Sequence, residues 1–196
     1  MIKENNKSLP LSIKIAAYIL IGLGIACTLI CLISNGFSIK QNISGAIELI
    51  GIIVGALYFY KGAGKPENTF YKSYFLIFSL TFVAEYAIFS IFGGHKDYVA
   101  DNELFIQMFI DMLCYGNYLV LALAKDLGKK MSLGLAIASA VLYLIYLIPT
   151  FTDLAYYTPS QTTFEVAEAV SYLASSAFNI IIVYAKYFDK DARGTK

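Results

Sequence analysis

The sequence predicts an all-α fold: one polytopic membrane bundle of six transmembrane helices spanning residues 1–196, with both termini cytoplasmic. Three observations lead there. Of the 196 residues 58% are hydrophobic and 15% charged, against about 45 to 50% and about 25% in soluble domains. Six apolar stretches are each long enough to cross roughly 30 Å of hydrocarbon. Cationic residues gather in alternate connections, as they do in proteins whose cytoplasmic loops carry an excess of lysine and arginine.

The first helix is expected at about 15–34. Polar residues Met1 to Pro10 precede it, and the run from Ile15 to Ile33 is longer than a signal-peptide core, with no small-x-small site after it. It reads as a retained helix. The second, about 43–60, carries a stripe of Ser44, Glu48, Gly51, Gly55 and Tyr58 at steps of three and four. The third, about 70–92, contributes Tyr74, Thr81 and Glu85, and the fourth, about 104–124, Gln107, Asp111, Cys114 and Tyr118. The fifth, about 131–149, shows Ser132, Ser139, Tyr143 and Tyr146, and the sixth, about 164–186, Glu165, Glu168, Tyr172, Ser175 and Asn179. All four prolines are expected in or beside connections, leaving helix interiors unbroken.

Sidedness follows from the cations. The N-terminal tail, the second and fourth connections and the C-terminal tail hold all of them except Lys40 and Lys96, a division of thirteen to two. Moving one helix in or out of the count would spoil that division, so the expectation is six spans in a cytoplasmic membrane. The net charge of +1, dispersed among loops, gives no basic face for nucleic acid.

Cys27, Cys31 and Cys114 lie in apolar segments without metal or redox spacing, and His95 is the only histidine. They read as packing residues, and neither a metal site nor a cofactor is implied. The carboxylates are different. A charge at membrane depth costs a few kcal/mol and turns toward a bundle interior, yet no lysine or arginine stands at the depth of Glu48, Glu85, Asp111 and Glu168. All four are expected in the outer half, the first three about 4 to 6 Å and Glu168 about 10 Å from the midplane. With Tyr118, Tyr143, Tyr172 and Asn179 they form the candidate ligand- or proton-binding set. Small and hydroxyl residues also let helices pack closely without any ligand.

The expected function is binding or transport of a small polar or cationic solute through an outward-facing acidic, tyrosine-lined interior, with lipid and that solute as partners. Two other readings fit the same residues: a non-catalytic accessory or scaffold packing against a membrane partner subunit, and an intramembrane enzyme using Glu85 and Asp111 as an acid and base pair. No protease signature supports the last. Of the external connections, Gly93 to Glu103 reads as a solvated loop, and Thr150 to Thr163 is long enough to form a lid.

Overall fold

The computed structural model describes residues 9–34, 39–63, 69–91, 102–125, 127–153 and 156–192. They form six helices: α1 (Leu11–Ser34), α2 (Ile39–Tyr60), α3 (Phe70–Ile91), α4 (Asn102–Leu123), α5 (Lys129–Asp153) and α6 (Pro159–Ala192). No strand occurs among the described residues. Three helical segments, Leu11–Ser34, Lys129–Ile148 and Gln161–Phe188, are long and apolar enough to cross a membrane; Gly45–Tyr60 and Met108–Leu123 are shorter apolar helices.

Each helix packs on the next in sequence, and α6 returns to pack on α1. Side chains of α6 also meet α2, α3 and α4. This helix is therefore the hub, and 44% of its apolar span is buried, against 28% in α1 and α5.

The distribution of side chains is inverted relative to a water-soluble bundle. The largest fully buried side chains begin with Tyr58, Tyr74 and Tyr118 and include Asn179 and Ser132, while Ile19, Ile33, Ile53, Leu123 and Ile148 are each more than half exposed. In water such a surface would be expelled from solvent; in lipid it is the stable arrangement, because apolar side chains meet acyl chains and hydroxyls meet each other. With the three long apolar helices, this marks a membrane-embedded protein.

Local signals explain where helices stop. The turn after α2 ends on Gly62, whose φ of 100° is a left-handed conformation that favours glycine, with Lys61 N–H bonded to the Leu57 carbonyl at 2.9 Å. At the start of α6, Thr158 and Gln161 make a capping box. The Gln161 side chain accepts from Thr158 N–H at 3.0 Å, and the Thr158 hydroxyl accepts from Gln161 N–H at 3.5 Å. Pro159 takes the first helical position, where a missing N–H costs nothing.

Two expectations are corrected here. The segment Thr150 to Thr163 is not a long lid, because α5 continues to Asp153 and α6 begins at Pro159. Pro149 lies inside α5 rather than beside it, one turn before the helix ends, where it removes one backbone bond and its ring crowds the carbonyl of the preceding turn. Helix α6 has 34 residues, about 51 Å at 1.5 Å per residue, so it outreaches the roughly 30 Å hydrocarbon core. Most of the connection Gly93 to Glu103 lies outside the described residues; Asn102 and Glu103 open α4.

Candidate functional site

The interior is ordered along the bundle axis by a layer in which α3, α4 and α6 meet. Tyr74 Oη donates to Asn179 Oδ1 at 2.6 Å, and Asn179 Nδ2 donates to Tyr118 Oη at 2.8 Å. All three residues are buried, so the amide joins α3 to α4, which also share a bond from the Ser79 hydroxyl to the Tyr115 carbonyl at 3.3 Å. Phe75, Phe78 and Phe178 pack around Tyr74 in tilted or edge contacts with ring centres 4.8 to 5.6 Å apart. Helix α2 approaches because residue 55 is glycine: a Cβ there would stand 2.5 Å from Phe178 Cε1 and 3.0 Å from Tyr74 Cε2. Gly51 stands against Phe78 in the same way, at 2.5 Å.

Toward the end at which α2, α4 and α6 begin, the lining becomes acidic. Glu48 and Asp111 each lie seven residues from the layer positions Gly55 and Tyr118, and Tyr172 seven from Asn179, roughly 10 Å along the axis. Glu168 lies a turn further. Asp111 is 8% exposed, whereas Glu48 and Glu168 are half-buried.

Tyrosines knit this acidic end together. The rings of Tyr143 on α5 and Tyr172 on α6 stack with centres 5.0 Å apart and planes 16° apart, and Tyr146 stands perpendicular to Tyr172 at 5.8 Å. Tyr172 Oη donates a long bond of 3.4 Å to Glu168 Oε1. Tyr172 is within electrostatic reach of both Glu168 and Asp111, and Tyr143 of Asp111. At the corner with α1, Cys31 is within similar reach of Glu168, Glu48 and Glu165. Between the two levels, Cys114 Sγ contacts the Ser139 carbonyl at 3.6 Å, and Asn117 Nδ2 donates to Ser139 Oγ at 3.1 Å.

The opposite end is basic and aromatic. Lys186 Nζ lies 3.9 Å from the centre of the Tyr71 ring and 5.3 Å from that of Tyr187, distances at which a cation is attracted to the ring face. Tyr187 Oη donates to the Leu127 carbonyl, which leaves Ser132 Oγ to donate to Tyr187 at 2.9 Å.

The eight candidate residues thus divide. Asp111, Glu168, Tyr143 and Tyr172 come together at the acidic end, with Glu48 entering from α2. Tyr118 and Asn179 belong instead to the middle layer. The side chain of Glu85 lies outside the described residues; its backbone is on α3, eleven residues beyond Tyr74 toward the acidic end. Sequence reasoning did not place Tyr74, Tyr146 or Cys31 in the site. Tyr74 and Tyr146 lay on the polar stripes and could have been added from them; nothing in the spacing of Cys31 marked it. Among the described residues, no group of three or more His, Cys, Asp or Glu side chains is placed to hold a metal ion. Comparison with known protein families, with curated proteins and with solved structures finds no match for the chain.

Proposed function

We propose that the chain is a six-span protein of a cytoplasmic membrane, both termini inside, that binds or transports a small polar or cationic solute at the acidic, tyrosine-lined end of its interior. The observation that carries this reading is Tyr172, whose ring stacks on Tyr143 and which is within electrostatic reach of carboxylates on both α4 and α6. Carboxylates supply charge for a cation, ring faces attract it, and phenol hydroxyls exchange hydrogen bonds with a polar solute. Placing several carboxylates at membrane depth is costly, and such residues mark solute and ion pathways. The division of cations, thirteen to two, supports the acidic end as the external one.

The test is a thermal-shift screen of detergent-purified protein against small solutes and cations, run beside Asp111→Asn and Glu168→Gln. A compound that raises the melting temperature of the parent but not of the variants supports the reading, since binding to the native state stabilises it by mass action. If no compound shifts the parent, and both variants melt at or above it, the carboxylates are packing groups. A second reading then takes over, that of a scaffold held against a membrane partner subunit. The close approaches at Gly51 and Gly55 favour it, since small residues that admit large rings serve dense helix packing.

A further inference from the structure

We propose that the Tyr74–Asn179–Tyr118 bridge is the closed barrier of a pathway running along α6, which opens when α6 moves relative to α3 and α4. This rests on the solute reading above. Polar residues recur on the buried side of α6 from Glu168 through Tyr172 and Ser176 to Asn179, and resume at Lys186 and Tyr187. Between Asn179 and Lys186 the row is interrupted by Ile182 and Val183, both 0% exposed. The bridge and the rings of Phe75 and Phe178 therefore lie between the acidic end and the Ser132, Tyr187 and Lys186 end.

A barrier meant only to be tight would be better made of leucine and phenylalanine, because each buried polar group must find a partner or carry its full desolvation cost. Here the polar groups come from three helices, and both bonds converge on one amide of the hub. A displacement of α6 would break both together, and water or the polar groups of a passing solute could replace both. An open arrangement in which water or solute takes both bonds is the second state that a barrier of this kind requires.

Cys114 is a built-in reporter. It is fully buried, one turn from Tyr118 on the acidic side. With Cys27→Ala and Cys31→Ala removing the other two thiols, vesicles of either orientation are treated with a membrane-impermeant cationic methanethiosulfonate. In this parent the expected labelling of Cys114 is slow, as its burial requires, and faster from the acidic face than from the lysine face. Tyr74→Phe and Tyr118→Phe, which keep the rings and each delete one bond to Asn179, should raise the rate from the lysine face about fivefold apiece.

Equal measurable rates from both faces in the parent, or no gain from the lysine face in either variant, would overturn the proposal. The thiol rates need no solute. A failed thermal-shift screen with labelling biased to the acidic face that the variants relax therefore overturns the solute reading alone, whereas ligand-dependent melting with equal labelling from both faces in the parent overturns the barrier alone.

Discussion

Replacing Gly55 by alanine sets two effects of opposite sign against each other. Alanine is the better helix former by about 0.8 to 1.0 kcal/mol. Its methyl, however, would stand 2.5 Å from Phe178 Cε1, 3.0 Å from Phe178 Cζ and 3.0 Å from Tyr74 Cε2. The Phe178 ring has little room to retreat, being packed against Phe59 at 5.8 Å and Tyr74 at 5.6 Å. Forcing a methylene into such a core costs about 1 to 3 kcal/mol, so Gly55→Ala should be destabilised by about 1 kcal/mol net. The matched control is Gly116→Ala on α4, where a Cβ meets nothing within 4 Å and only the propensity gain of up to about 1 kcal/mol remains. Thermal unfolding of both variants in the same micelles should place Gly55→Ala several degrees below Gly116→Ala. If Gly55→Ala melts at or above the control, α2 does not close on the tyrosine layer as described.

Asn179→Ala should lose at least twice the stability that Tyr74→Phe loses in the same melting assay. It leaves the buried Tyr74 hydroxyl without its acceptor, at about 1 to 3 kcal/mol, and Tyr118 with only its bond to Ser139, while Tyr74→Phe deletes one bond. Val141→Lys tests the inverted surface. Val141 is 48% exposed near the middle of α5, so in lipid the change costs about 2.5 to 3.5 kcal/mol and should reduce the membrane-integrated fraction on fractionation. In a water-exposed bundle the same change would be neutral within about 0.5 kcal/mol. Thr158→Ala, which removes a hydroxyl of the capping box, should weaken the start of α6 by about 1 kcal/mol. The readout is faster amide hydrogen exchange over 160–163 with little change in melting temperature.

The helices were legible because hydropathy and turn residues bound them, and five of the six begin and end within a few residues of the expected limits. The sixth was expected to start at about 164 and starts at Pro159. Its first turns are threonine, serine and glutamine, which a search for apolar length reads as loop, although Thr158-Pro159-Ser160-Gln161 is a helix-start signature in its own right. The polar stripes were legible too, since steps of three and four put residues on one face. Which stripes meet was not. Tyr118 and Asn179 were grouped with Asp111 and Tyr172, yet they lie about two turns away and bond to Tyr74 instead. That outcome depends on the axial stagger between helices distant in sequence, which the period within any one helix does not encode. The central position of α6 escaped for the same reason, because five helices showed comparable stripes and only packing singles one out.

That position has a bearing on how the protein is made. The ribosome delivers α6 after the five helices it touches, so the amide that joins Tyr74 of α3 to Tyr118 of α4 is the last part of that layer to be made. Closure of the bundle is therefore a late event, and a chain interrupted before Pro159 would leave α1 and α5 without the helix that packs on both.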